Sequence, residues 1–154
     1  MLNRALSTAL IGIGAAQFLK VPVSYLETGV WDWKKLLGSG DMPSSHSSAV
    51  TSLTTYVALK NGMASIDFGV SSIFSLIVMY DAMGVRWHAG ETAIAVNDMY
   101  EQLEKLAHEH PNFPYKKRKK ELKEVMGHMP IEVAGGIALG LAVGAISYFI
   151  EKDK

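Results

Sequence analysis

The sequence predicts an all-α, membrane-embedded helical bundle of about four spanning or core helices, with one or two amphipathic interfacial helices. Four stretches lack Asp, Glu, Lys and Arg and alternate with polar connectors: residues 5–19, 42–59, 68–80 and 133–150. They are rich in Gly, Ala, Ser and Thr, as helices packed within a membrane are. Tyr25, Trp31 and Trp33 lie in a connector, where an interfacial aromatic belt would place them. We therefore expect one membrane-embedded domain over residues 1–154.

The lengths of these stretches leave a soluble all-α bundle open as the alternative. A membrane span usually needs about 20 apolar residues, and runs of about 10–14 are more often buried core helices. Hydrophobic residues make up 49% of the chain, and its mean hydropathy of +0.14 lies between soluble and multi-span values. The chain has zero net charge and no cysteine, which argues against a nucleic acid partner, a disulfide framework and thiolate chemistry.

The first stretch follows Arg4 and imitates the basic start and apolar core of a signal peptide. No small-x-small cleavage site is evident, and Lys20-Val21-Pro22 follows directly. We therefore interpret it as a retained helix, with the first connector beginning at Lys20.

The second stretch opens with the string GDMPSSHSSAV, residues 40–50. Proline is favoured in the first turn of a helix, so Pro43 predicts a helix whose first turn carries Ser44, Ser45 and His46. The free N–H groups and the dipole of such a helix start favour an anion, and hydroxyls with an imidazole suit phosphate. The alternative is that Ser44 and Asp41 are ordinary caps and His46 is a core histidine.

The third stretch leads into a long connector. Apolar residues recur every three or four positions over 85–107, which predicts an amphipathic helix on a membrane surface or on the core. A break with two prolines and five consecutive basic residues follows, and then a short helix over about 118–126.

Three polar features of this connector are weaker signals. Asp81 is either the salt-bridge partner of a phosphate-binding Arg86 or a simple helix end, and His88 either supports a site from behind or lies at the membrane interface. The His-Glu-His run at 108–110 ends a charged helix without a third ligand, so we predict no metal site.

The fourth stretch opens with GHMPIEVAGG, residues 127–136, which repeats the pattern of the second. Gly127 can end a preceding helix and Pro130 can start the next, so His128 lies at a second helix start, four residues before Glu132. Two histidines, one with a carboxylate partner, suit phosphoryl transfer, because one imidazole can attack phosphorus while the other protonates the leaving oxygen. The positive groups that such a site needs are available: Lys20, Arg86 and Lys123.

Gly136, Gly140 and Gly144 form two overlapping GxxxG patterns on one face of this helix. They predict close helix packing, either within the chain, which we favour, or in a homo-oligomer.

Three strings together resemble one family: MPSSHSSAV at 42–50, MYDAMGVRWHAG at 79–90 and LKEVMGHMPIEVAGG at 122–136. They are similar to the divergent branch of the type 2 phosphatidic acid phosphatases, which are related to acid phosphatases and vanadium-dependent haloperoxidases. The resemblance implies His128 as nucleophile, Glu132 as the acid that orients it, and His46 as general acid. It also implies a phosphate-binding set: Lys20, Ser44, Ser45 and Arg86.

The resemblance implies an integral-membrane lipid phosphate phosphatase that needs no metal or cofactor and acts through a phosphohistidine on phosphatidate, phosphatidylglycerol phosphate or an isoprenyl diphosphate. The alternative is a non-catalytic membrane protein that binds lipid phosphate or anionic headgroups. Departures from the branch favour it, because Gly, a basic residue and Gln would be expected at Asp41, Trp87 and Glu91. The new carboxylates would weaken phosphate binding if they face the site.

With four embedded segments, the connectors 20–41 and 81–129 lie on one side, with both termini on the other. Eleven Lys and Arg residues lie on the connector side and four on the side of the termini. Because basic residues near helix ends favour the cytoplasm, we expect a cell-membrane protein whose site opens to the cytoplasmic leaflet.

Overall fold

The computed structural model describes residues 3–38, 40–110, 113–116, 120–124 and 126–153, and all the regular structure in these ranges is helical. Five α-helices follow one another: α1 (Arg4–Thr28), α2 (Ser45–Asn61), α3 (Ile66–Met83), α4 (Val85–Glu109) and α5 (Pro130–Lys152), with a 3₁₀ turn at Trp33–Leu37. Three stretches are long and apolar enough to cross a membrane: α1, the stretch Ile66–Glu109 that contains α3 and α4, and α5. The predicted all-α class is thus confirmed.

Helix α1 is longer than the apolar run that predicted it. Asn3 caps its start by accepting a hydrogen bond from the Leu6 N–H (3.2 Å), and it ends at Gly29 with φ 72°. Lys20, Pro22 and Tyr25 therefore belong to the helix, and the prediction that the connector begins at Lys20 is wrong. Its last turns stay helical because inward residues such as Val21 are buried against the bundle.

Helix α2 lies at the centre of the bundle, in contact with α1, α3 and α5. It carries hydroxyls on several sides, and these bond to the neighbouring helices. The Ser48 hydroxyl donates to the Gly12 carbonyl of α1 (2.9 Å), and Thr54 shares a hydrogen bond with Ser75 of α3 (2.7 Å). With 17 residues, α2 is shorter than the three candidate spans in the described chain, and bonds of this kind let its hydroxyls lie at the centre of the bundle.

The glycines of α5 face α2. A Cβ at Gly136 would lie 2.5 Å from the Ser44 carbonyl oxygen, and one at Gly144 would lie 2.6 Å from the Ser52 carbonyl oxygen. The repeat of Gly136, Gly140 and Gly144 therefore serves packing within the chain. The suggested homo-oligomer through these glycines has no free surface, because α2 already covers this face.

Both ends of the bundle follow from this packing. At one end the Lys60 ammonium pairs with Glu151 (2.7 Å), whose carboxylate also accepts a hydrogen bond from Tyr56. The other end gathers the end of α3 and the starts of α2 and α5, since the Ser44 N–H donates to the Glu132 carbonyl and the His128 N–H to the Ala82 carbonyl (both 2.9 Å). The segments that carry both histidines therefore meet at one end.

The predicted amphipathic helix is confirmed as α4, but the short helix expected over about 118–126 is wrong for the described residues 120–124 and 126, which are not helical. The Asn97 side chain bonds both backbone groups of Leu122, its Oδ1 accepting from the N–H and its Nδ2 donating to the carbonyl (both 3.0 Å). These groups are thus satisfied by α4. The rest of the predicted helix, residues 118, 119 and 125, lies outside the described residues.

Gly140→Ala is expected to destabilise the protein, because a Cβ there would lie 2.6 Å from Thr51 Cβ and 2.7 Å from the Ser48 carbonyl oxygen. Overpacking of this kind costs about 1–3 kcal/mol. The control is Gly14→Ala in α1, where nothing lies within 4 Å of the added Cβ. It should gain about 0.5–1 kcal/mol from its better helix propensity. Thermal unfolding in detergent, followed by circular dichroism, measures both, and equal shifts would contradict the packing of α2 on α5.

Candidate functional site

His128 is held in place from three directions just before α5 begins. Only 4% of the residue is exposed, and its N–H donates to the Ala82 carbonyl at the end of α3 (2.9 Å). Its Nδ1 lies 2.9 Å from Glu132 Oε2, and the same carboxylate accepts from the Met129 N–H (3.1 Å). Because Nδ1 is engaged by Glu132, Nε2 is the ring nitrogen left for a ligand. Pro130 is the first residue of α5, as predicted.

Gly127 makes this arrangement possible, although it does not end a helix as the sequence suggested. Its φ is +80°, and a Cβ would lie 2.5 Å from the Trp87 backbone nitrogen and 2.9 Å from the Ala82 carbonyl oxygen. Only glycine combines this conformation with so close an approach to the start of α4. The residue therefore sets the direction in which His128 enters the site.

His46 lies in the first turn of α2, which begins at Ser45, two residues after the start that the sequence suggested at Pro43. Ser44 is the cap, accepting from the Ser47 N–H (3.3 Å), and Pro43 precedes it. The His46 ring is exposed, so the alternative of a core histidine is wrong. Its centroid lies 5.9 Å from that of His128, with the rings inclined at 63°. One hydrogen bond or one bridging water can join groups at this separation.

The predicted serine pair differs in accessibility. Ser44 is fully buried, and its hydroxyl also accepts a hydrogen bond from Ser47 (3.1 Å). Ser45 is 9% exposed in the first turn of α2. Asp41 does not cap α2, since the Ser44 side chain has that position. Of the two serines, Ser45 is the one nearer to an accessible surface.

Positive charge converges on His46 from two other helices. Lys20 and Arg86 both lie within electrostatic range of the His46 ring, as does Asp81. Lys20 is 1% exposed, and its Nζ donates to the Gly38 carbonyl (3.0 Å). Arg86 Nε is paired with Asp81 Oδ2 at 2.5 Å. This pair is the salt bridge that was one of the two alternatives for Asp81. A buried ammonium near two imidazoles is a strong local attraction for an anion.

Two other residues that the sequence predicted for the site, Lys123 and His88, are exposed. Lys123 is exposed in the segment 120–124, between Leu122, which bonds Asn97, and Glu124, which approaches Gly90. It therefore lies along α4. His88 is exposed too, with its ring 5.2 Å from that of Trp87. Both side chains are therefore on the surface of the described part of the chain.

The departures from the family pattern share one cleft of about 260 Å³ with Glu132. Asp41, Trp87 and Glu91 all line it. Asp41 has φ 62° and accepts two hydrogen bonds from the Lys35 ammonium (2.8 and 2.9 Å), which raise the pKa of Lys35. Lys35 thus offsets one of the added carboxylates. Sequence reasoning missed this pair, because their spacing of six residues becomes a contact only through the 3₁₀ turn.

Among the described residues, no group of three His, Cys, Asp or Glu side chains could hold a metal. The positive charges of Lys20 and Arg86 both act on the His46 ring, whose centroid lies 5.9 Å from that of His128.

Comparisons with known proteins agree with the motifs. The family described as "Divergent PAP2 family" matches residues 1–143. The chain is 43% identical over 151 residues to the "Uncharacterized membrane protein YuiD" of Bacillus subtilis (strain 168), a match that covers 96% of each chain. No solved structure matches the chain.

Gly127→Ala is expected to displace His128, because the added Cβ would overlap the backbone of Trp87 in addition to straining a positive φ. The matched control is Gly29→Ala, which has φ +72° but nothing within 4 Å. The control should be destabilised only by the left-handed conformation, which costs a residue with a Cβ about 1–2 kcal/mol. Hydrogen exchange of the His128 amide is the discriminating measurement, since that N–H donates to Ala82. Faster exchange of this amide in both variants alike would contradict the packing of Gly127 on α4.

Proposed function

The chain belongs to the divergent PAP2 family, and from that premise we propose that it is an integral-membrane lipid phosphate phosphatase acting through a phosphohistidine. The observation that carries the proposal is the histidine pair, with ring centroids 5.9 Å apart and one Nδ1 held by Glu132 at 2.9 Å. Both histidines lie at helix starts, where backbone N–H groups favour an anion. The substrates that fit are phosphatidate, phosphatidylglycerol phosphate and isoprenyl diphosphates, and residues 1–154 act as one catalytic domain.

In the first half-reaction His128 Nε2 attacks phosphorus, and an N–P bond forms as the P–O bond to the leaving group breaks. The protonated His46 ring gives its proton to the departing oxygen, which leaves as the lipid alcohol or lipid phosphate. Glu132 holds the Nδ1 proton of His128 and stabilises the positive charge that the ring acquires.

In the second half-reaction the neutral His46 accepts a proton from water, and the resulting hydroxide attacks the phosphohistidine. The N–P bond breaks, inorganic phosphate leaves, and both rings return to their starting states. The exposure of His46 supports this role, because the ring that activates water must be reached by water. The burial of His128 protects the N–P bond from bulk solvent.

The non-bridging oxygens would be held by Lys20, Arg86 and the start of α2 with Ser45. Lys20 contributes most in this scheme, since it is buried and its charge acts in a medium of low polarity. Arg86 is more exposed and shares its charge with Asp81. Ser44 would act mainly by capping α2, and Lys123 would contribute positive charge.

A second candidate function is non-catalytic binding of lipid phosphate. The observation that favours it is the cleft in which Asp41 and Glu91 accompany Glu132, because additional carboxylates oppose a phosphate dianion. In this case the protein would bind phosphate or vanadate saturably and turn over none of the three lipid substrates.

The first test is phosphate release by purified protein from the three lipids with a chelator present. His128→Ala should abolish it, and His108→Ala, an exposed histidine on α4, is the control that should retain it. His46→Asn should slow release from the alkyl phosphate of phosphatidate by about 10²–10⁴-fold. It should slow p-nitrophenyl phosphate less, because nitrophenolate leaves without a proton. Wild-type-like phosphate release from the His128 variant would eliminate the phosphohistidine mechanism. Saturable vanadate binding without turnover would instead support non-catalytic binding of lipid phosphate.

The orientation test uses the absence of native cysteine. We propose that the histidine end of the bundle faces the cytoplasm. Lys116→Cys should then be protected from a membrane-impermeant thiol reagent in intact cells, and Lys152→Cys should react. Both should react after permeabilisation, which is the control for accessibility. The reverse pattern in intact cells would place the site on the outer face.

A further inference from the structure

An irregular segment leads into His128, and it lies along one side of α4. Its described residues, 120–124, 126 and 127, are not helical. Three residues of α4 meet this segment, and their spacings of three and seven place them on one side of the helix. We call them the α4 contact face: Trp87, Gly90 and Asn97.

Asn97 holds this segment with its whole side-chain amide. Its Oδ1 accepts from the Leu122 N–H (3.0 Å), and its Nδ2 donates to the Leu122 carbonyl (3.0 Å) and to Glu124 Oε1 (2.8 Å). Only an amide side chain offers an acceptor together with two N–H donors of this kind. Because both backbone groups of Leu122 are bonded, a shift of the segment by one residue along α4 would break both bonds.

The segment then passes close to the other two residues of the α4 contact face. A Cβ at Gly90 would lie 2.6 Å from the Glu124 carbonyl oxygen and 3.2 Å from that of Met126. A Cβ at Gly127 would lie 2.5 Å from the Trp87 backbone nitrogen. These approaches set how closely the segment follows α4, and the bonds of Asn97 set its register.

The segment brings His128 to the site six residues after Leu122. The His128 N–H donates to the Ala82 carbonyl (2.9 Å), and its Nδ1 lies 2.9 Å from Glu132 Oε2. Because Nδ1 is already held, the place of Nε2 follows the backbone of this residue. Helix α4 itself adds little to the bundle, since α3 is the one other helix that it contacts in the described chain.

We propose that Asn97 is a positioning residue for His128, because it holds Leu122 in register on α4 and thereby places Nε2 for attack on phosphorus. The proposal rests on the proposed function for the role of His128. Asn97 acts through the chain, since its bonds go to Leu122 and Glu124. A small displacement of a reacting group by a distant substitution can cost about 10²-fold in rate. The competing explanation is that Asn97 only stabilises the fold.

The kinetic experiment compares Asn97→Ala with Asn61→Ala on phosphatidate, at a temperature where circular dichroism shows both variants folded. Asn61 is a matched control, because its Nδ2 is also bonded (to Asp67 Oδ2, 2.8 Å) but lies at the other end of α2. Asn97→Ala should lower kcat about tenfold to a hundredfold with KM nearly unchanged, and the control should retain kcat. An unchanged kcat in Asn97→Ala, or an equal fall in the control, would overturn the proposal.

A second substrate separates an effect on the nucleophile from an effect on the acid. Attack by His128 is common to phosphatidate and p-nitrophenyl phosphate, but nitrophenolate leaves without a proton. Asn97→Ala should therefore lower kcat/KM by the same factor on both substrates, whereas His46→Asn lowers it more on phosphatidate. A fall confined to phosphatidate would indicate a defect in protonating the leaving group and would overturn the proposal.

A double variant tests the bonds themselves. Asn97→Asp loses the donors to Leu122 and Glu124 and brings two carboxylates together. Adding Glu124→Gln supplies an amide that can donate to the new carboxylate, and it should raise kcat above that of Asn97→Asp by about threefold or more. Glu124→Gln alone should retain wild-type kcat, because a glutamine oxygen can still accept from Asn97. Additive effects of the two substitutions would contradict the role of these bonds.

Amide hydrogen exchange, resolved to single residues in nanodiscs, tests the placement of His128 without turnover. Asn97→Ala removes the acceptor of the Leu122 N–H, so that amide should exchange faster whatever role Asn97 has. The His128 amide is the discriminating one, and it should exchange faster in Asn97→Ala and at the wild-type rate in Asn61→Ala. Faster exchange at Leu122 with an unchanged His128 amide would overturn the proposal. If wild-type protein hydrolyses none of the substrates, the phosphatase is refuted, and the His128 amide still decides whether Asn97 positions this residue.

Discussion

The close approach of α2 to α5 is the constraint on which the rest of the structure depends. Three glycines on α5 lie where any Cβ would overlap the backbone or the Cβ atoms of α2. The two helix starts are therefore brought side by side, and the Ser44 N–H reaches the Glu132 carbonyl (2.9 Å). Because His46 and His128 lie in or next to those starts, backbone packing alone brings their rings to 5.9 Å. The site is a consequence of helix packing.

The same packing explains a hydroxyl-rich helix in an apolar bundle. Some serines of α2 lie against α1 and α5 in places where larger side chains would force the helices apart, and the hydroxyls of Ser48 and Ser52 donate to carbonyls of α1. Only the first turn, with Ser45 and His46, opens toward the space beside His128. The string SSHSS thus combines two functions that sequence alone does not separate. Part of it supports the bundle, and part is the proposed contact for a phosphate.

Burial divides the site into a fixed half and an accessible half. His128, Glu132 and Lys20 are held in the interior by bonds to each other or to backbone carbonyls, while His46 and Arg86 are open to solvent. In the proposed reaction, His128 would be the fixed group and His46 the group that water can reach.

The sequence by itself determined the helical class, the four charge-free stretches, the two histidine-bearing helix starts and the Glu132 partner, because all of these depend on local spacing. The tertiary structure alone decided what depends on contacts between distant segments. Asn97 satisfies Leu122 in a segment that otherwise suggested a helix, and Lys35 neutralises Asp41 through a turn. The burial of Lys20 also needed the fold. Residue periodicity shows which face of a helix is apolar, but only packing shows which neighbour covers that face.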